Sequence, residues 1–181
     1  VLINLLRNIA ATIDRLSEWT GRILSWLTLL LVLAQFAIVV GHYIFHSGSI
    51  FFQESLLYMH SMIFLGAAAY TLRHNGHVRV DVFYCRFSDK TKAWVNLIGA
   101  FLFLFPMTAV IGWMAWPYVS ASWDSLEGSI ESSGIQAVYL LKSMILFFIV
   151  TLFLQGVSLL LRALFTLLDI EHLAEEKPET V

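Results

Sequence analysis

The chain has 181 residues, 59% of them hydrophobic and 13% charged, with a mean hydropathy of +0.76 and a formal net charge of −2. A soluble domain is nearer a quarter charged and half apolar, so this is a membrane-protein composition, without the basic face that nucleic acid requires. A single cysteine, Cys85, excludes an internal disulfide and a cysteine-built metal cage.

In residues 1–22, Leu2, Leu5, Leu6, Ile9, Ile13 and Leu16 recur at helical spacing, while Arg7, Asp14, Arg15 and Glu18 mostly fall elsewhere. The pattern predicts an amphipathic helix too polar to span, lying in the cytoplasmic interface or packed on a partner, with Trp19 and Arg22 at headgroup level. It carries no short apolar core followed by a small-residue cleavage site, so no removable signal peptide is expected in it. Residues 23–46 read as a first span, free of Lys, Arg, Asp and Glu, with His42, Tyr43 and His46 at its far end and Ser47-Gly48-Ser49 breaking it. Residues 51–72 read as a second span, entered through Gln53 and Glu54. Its Gly66-Ala67-Ala68-Ala69 stripe suits close approach of two helices in lipid.

Residues 73–92, RHNGHVRVDVFYCRFSDKTK, are a polar loop with five of the eleven Lys and Arg residues: Arg73, Arg79, Arg86, Lys90 and Lys92. Loops rich in Lys and Arg stay cytoplasmic, which orients the chain. Residues 93–119 read as a third span, with Trp94 at the inner interface and Trp113, Trp116 and Tyr118 at the outer. Pro106, mid-span, predicts a kink unless neighbours satisfy the freed carbonyl. Residues 120–138 are an outer loop with Asp124, Glu127 and Glu131 and no basic residue. Residues 139–165 form the fourth span, opened by Lys142, which can snorkel, and closed by Arg162. The tail, 175–181, reads as solvated and disordered. With Arg7, Arg15, Arg22, Arg162 and Lys177 on the same side as the loop, the expectation is an all-α protein of four spans plus an interfacial helix, both termini cytoplasmic.

Neither GxxxxGK[ST] nor GxGxxG occurs, and no Ser-His-Asp or metalloprotease pattern stands out, so no nucleotide, cofactor or catalytic site is expected. The polar groups that need explaining lie at membrane depth. His60 reads as a neutral imidazole bonded to a neighbouring helix, or as a haem ligand or proton relay. A haem b needs a second histidine at matching depth, and His42 and His46 lie nearer the outer surface. Gln155, deep in the fourth span, reads as an interhelical hydrogen-bonding group. Glu54, with Tyr58 and Ser61 on its face, is either favoured by the helix dipole or a docking group. Arg73, His74, His77, Arg79 and Asp81 form a polar knot at the inner end of the second span. It reads as topology charge, or as a latch holding the helix pair or a partner. Trp123, Glu127, Ser129, Glu131 and Lys142 cluster outside, as a solvated loop, a docking surface, or acids paired with Lys142.

These features resemble the small (Q) membrane subunit of the tripartite ATP-independent periplasmic (TRAP) transporters. The stretches that carry the resemblance are the amphipathic start leading into the first span, FFQESLLYMHSMIFLGAAAYTLRHNGHVRVDVFY, SWDSLEGSIESSG and VYLLKSMILFFIVTLFLQG. The second is the most specific, a glutamate opening a span that a GHVRVD loop closes. The last two resemble the subgroup labelled for 2-oxo acid, mannitol or chloroaromatic substrates. The resemblance implies a non-catalytic scaffold in a bacterial inner membrane. It would brace a large (M) subunit that holds substrate and sodium sites. It would also help dock a periplasmic (P) protein that delivers an organic acid, with phospholipids filling the joint. It carries Glu54, Arg73, His77, Arg79 and Asp81 over as family-motif positions, and Glu127, Ser129 and Lys142 as subgroup positions. The alternative is a haem b-bearing membrane anchor of a respiratory enzyme, with His60 as a ligand.

Overall fold

The computed structural model describes residues 2–78 and 84–168. Arg79 and Asp81, and the tail at 175–181, lie outside the described residues. The described fold is all-helical: α1 (Leu2–Tyr43), α2 (Ile50–Gly66), α3 (Ala68–Arg73), α4 (Asp89–Gly99), a π-helical turn (Ala100–Leu104), α5 (Phe105–Asp124) and α6 (Val138–Leu167). Four rods result, because α2 runs on into α3 and α4 runs through the π turn into α5. Each rod is long and apolar enough to cross a membrane.

The N-terminal segment is helical and joins the first span without a break: from Leu2 it continues into that span as α1, 42 residues long. At 1.5 Å per residue that is about 63 Å, roughly twice the hydrocarbon thickness. Most of the apolar side of this segment is left uncovered by the chain itself. Ala10, Ile13, Asp14 and Ser17 are buried, whereas Leu5, Ile9, Leu16 and Trp19 are exposed. Lipid tails are as apolar as leucine, so burying leucines gains little, and the small and polar stripe makes the contact between helices instead.

Helix α6 is the centre of the bundle and packs against every other rod. Its partners approach closely where glycine allows. A Cβ on Gly156 would overlap the side chain of Leu104 in the π turn. That turn answers the question raised by Pro106. The Phe105 amide bonds to Ala100 O, one residue further back than in an α-helix, just before a residue with no amide to donate. The second rod passes Ala67 with its ladder intact, Ala67 N to Ile63 O and Thr71 N to Ala67 O at 3.0 and 2.9 Å. Gly66 in its small-residue stripe faces Leu24 of α1 and Phe147 of α6.

Two rods end in the same cap. After α3, Asn75 has φ 54°, with Asn75 N bonded to Leu72 O and Gly76 N to Thr71 O. After α5, Leu126 has φ 47°, with Leu126 N bonded to Trp123 O and Glu127 N to Ser122 O. Both are Schellman closures, which satisfy the last carbonyls of a helix. Leucine at the left-handed position is strained by roughly 1–2 kcal/mol, whereas asparagine suits it. At the start of α4, the Ser88 hydroxyl caps Thr91 N at 3.3 Å.

Tyr70 of α3 lies flat on Gly21 of α1, so a Cβ there would overlap the ring. Gly21→Ala is expected to force the two helices apart and to cost about 1–3 kcal/mol, measured as lost stability in reversible unfolding from detergent micelles. An unchanged midpoint would show that the ring can slide away freely.

Candidate functional site

Polar side chains gather at the two ends of the bundle. At one end the hub is Asp14, 3% exposed on α1. Helix α6 reaches it with Gln155, Ser158 and Arg162, spaced so that all three share one face. Gln155 Nε2 donates to Asp14 Oδ1 at 2.9 Å, and the Ser158 hydroxyl donates to the same oxygen at 2.7 Å. Arg162 Nε donates to Asp14 Oδ2 at 2.8 Å, and its Nη2 joins the same oxygen. The Ser17 hydroxyl donates to Gln155 Oε1 at 2.6 Å. From the second rod, Arg73 Nη1 donates to Asp14 O at 2.5 Å and to Glu18 Oε2 at 3.0 Å. His74 Nε2 meets the same Glu18 oxygen at 2.9 Å while its ring packs on Tyr70, and Arg22 pairs with Glu18 Oε1. Three rods are thus tied through two carboxylates on α1. A polar cavity of about 200 Å³ opens beside them, lined by Arg73, Arg162, Asn96 and Gln155 among others.

At the other end the loop 125–137 is fixed to the bundle. Glu54, on the second turn of α2, accepts from the Ser129 hydroxyl and, at 2.6 Å, from Ile135 N. A side chain on Gly134 would displace this carboxylate. Lys142 of α6 pairs with Glu127 and lies 4.0 Å from the centre of the Tyr118 ring, a cation–π contact back to α5. Trp123 Nε1 donates to Ser143 Oγ at 2.8 Å, with its ring against Tyr139. The hydrogen bond from Lys142 holds the Glu127 carboxyl below the usual carboxylate range.

The spacing of the two clusters matches a bilayer. Glu54 and Arg73 are about 28 Å apart along the second rod, and Lys142 and Arg162 about 30 Å apart along α6. Two independent rods therefore set the clusters one hydrocarbon thickness apart. Between them, among the described residues, Thr108 is fully buried, and it bonds back to Leu104 O and Phe105 O of its own rod.

Of the residues singled out from the sequence, Gln155 and Arg73 converge on Asp14, and Glu54 and Ser129 meet, as do Glu127 and Lys142. Arg162, counted from the sequence among the cations at this end, also pairs with Asp14 inside the bundle. His77 is exposed and outside the Asp14 cluster, and Glu131 is exposed while its amide bonds to Ser129 Oγ at 3.1 Å. His60 is exposed on the outward face of α2 and stacks on Phe64. Asp14, Ser17, Glu18 and Ser158 were missed as site residues. Their signal was the run Ala10, Asp14, Ser17, Gly21, a small and polar stripe at helical spacing on α1, opposite Gln155, Ser158 and Arg162.

Four apolar rods closed by polar clamps at both ends define a multi-pass helical membrane protein. A family profile described as "Tripartite ATP-independent periplasmic transporters, DctQ component" matches residues 29–166, most of the chain. The chain therefore belongs to the DctQ component family of the TRAP transporters, and is a transporter component rather than an enzyme. No curated protein and no solved structure matches it.

Asp14→Ala would leave Arg162, Gln155 and Ser158 without their shared acceptor, and is expected to cost about 3 kcal/mol or more in micelle unfolding. In an Asp14→Ala/Arg162→Ala cycle the two losses should fall well short of additive; strict additivity would show that the pair does not interact. The Glu127–Lys142 pair gives a pH test. Because the folded pKa of Glu127 is depressed, its contribution is complete above the ordinary carboxylate range and is lost as pH falls through the lowered folded value. Acid titration of tryptophan fluorescence should show this transition, and Glu127→Gln should abolish it.

Proposed function

We propose that the chain is the small, non-transporting membrane subunit of a sodium-coupled TRAP transporter in a bacterial inner membrane, with both termini cytoplasmic. It braces a large membrane subunit that carries the substrate and sodium sites. Its outer loop helps to dock a soluble periplasmic protein delivering an organic acid. No cofactor of its own is involved, and phospholipids fill the joint between the subunits.

The observation that carries this reading is where the polar groups lie. The carboxylates Asp14, Glu54 and Glu127 are partnered within the chain, and among the described residues no polar path joins the ends across the apolar middle. Such a body is suited to standing still beside a moving partner. The orientation rests on the cationic loop at 73–92. At the outer end, Glu54, Glu127 and Lys142 hold the loop in shape, so that Ile130 and Glu131, both exposed, form the surface it offers. At the inner end, His77 is exposed for a partner, and Arg79 and Asp81 join it on the strength of the family motif alone. Membership of the subgroup labelled for 2-oxo acid, mannitol or chloroaromatic solutes rests on the outer loop and the fourth span, SWDSLEGSIESSG and VYLLKSMILFFIVTLFLQG.

Reconstitution tests the reading. In proteoliposomes the chain alone should take up no organic acid under a sodium gradient, whereas uptake should appear with the large subunit and the binding protein. Uptake by the isolated chain would overturn the proposal. In the full system, Glu54→Ala should release the outer loop. That should raise the binding-protein concentration needed for half-maximal uptake several-fold and leave the maximal rate nearly unchanged. An unaltered concentration dependence would remove the loop from docking.

A further inference from the structure

The outward face of α2 carries a polar group that the chain's own helices leave uncovered. Gln53, Leu57, His60 and Phe64 recur at helical spacing and are all exposed. His60 lies about 9 Å along the rod from Glu54 and about 20 Å from Arg73, so it is well inside the hydrocarbon layer bounded by the two clamps. Among the described residues its ring stacks on Phe64, 6.2 Å between centroids, and hydrogen-bonds to none. Ionisable side chains at this depth face protein or a water-filled cavity, because leaving their ring nitrogens in hydrocarbon forfeits hydrogen bonds that water would supply.

The shape of the surface agrees. Gln53, at the outer end of this face, also lines a groove of about 500 Å³ between α1 and α2. The α1 wall of that groove carries Ala34, Ala37 and Gly41, small enough for another helix to approach closely, beside Ile38 and His42. A recess at the Gln53 end of this face, with an outward imidazole two turns further along, fits a helix better than a disordered acyl chain, which offers no hydrogen-bonding group at this depth.

We infer that this face of α2 docks a transmembrane helix of another component of the same transporter, and that this helix presents a hydrogen-bonding group to His60. The inference rests on the bracing role proposed above and assigns it a surface. His60 is then a specificity group of the interface rather than a part of this chain's own fold.

The test uses the chain co-expressed with the large membrane subunit. A photo-crosslinking amino acid is placed at position 57, 60 or 64, and for comparison at Phe103, exposed on the π turn of another rod. An adduct with the large subunit at all three α2 positions supports the inference. Adducts with a second copy of the chain would overturn it in favour of self-association. Lipid adducts alone from α2, with the complex still co-purifying, would overturn it and leave the bracing role standing. Loss of co-purification in the unmodified pair would instead sink the bracing role itself. As an independent readout, His60→Leu should lower recovery of the complex about threefold or more, while His60→Gln, which keeps a hydrogen-bonding end, should largely restore it. Equal recovery of both variants would overturn the hydrogen bond. Because His60 is exposed, both variants should unfold as the parent does when the chain is purified alone.

Discussion

A buried carboxylate organises one end of this molecule. Asp14 is almost wholly removed from solvent and receives hydrogen bonds from Gln155, Ser158 and Arg162 of the central helix. Its backbone carbonyl receives another from Arg73 of the second rod. A buried charge is tolerable only when its lone pairs are satisfied, and each of these donors comes from a helix that must stand at a particular height and rotation. Asp14 therefore sets the register of three rods at once. In lipid, where apolar contact between helices gains little over contact with acyl chains, polar groups of this kind and close-packed glycines decide which faces meet.

The cluster at the other end plays the complementary part. Glu54 and Lys142 sit near the starts of two rods and hold a loop that would otherwise be loosely attached. Between the clusters the buried positions are mostly alanine, glycine and aliphatic residues, with Thr108 folded back on its own helix. Polar interactions fix both ends and small residues bring the middle together. The π turn lets the third rod pass Pro106 without breaking against α6.

The four apolar rods were legible in the chain, because hydrophobic runs of sufficient length have few alternatives in a bilayer. So were several of the polar groups, Glu54, Gln155, Arg73 and Lys142 among them, because ionisable and amide side chains in or beside such runs stand out against the background. Their pairings were not legible. Glu54 meets Ser129 and Ile135 across more than seventy residues of chain, and Asp14 meets Arg162 across more than a hundred. In residues 2–22 periodicity gave the helix but not its buried stripe of Ala10, Asp14 and Ser17, because helices in lipid meet through small and polar residues rather than through leucines.

Composition and periodicity by themselves determined that this chain is helical, that it crosses a membrane four times, and where its cationic loop lies, since all of these depend on residues near one another in sequence. Only the tertiary structure decided which way each helix turns. The partner of Asp14, the anchor of the outer loop and the exposure of His60 are set by rotation about the helix axes. Those rotations are fixed by contacts between distant segments, which local periodicity does not encode.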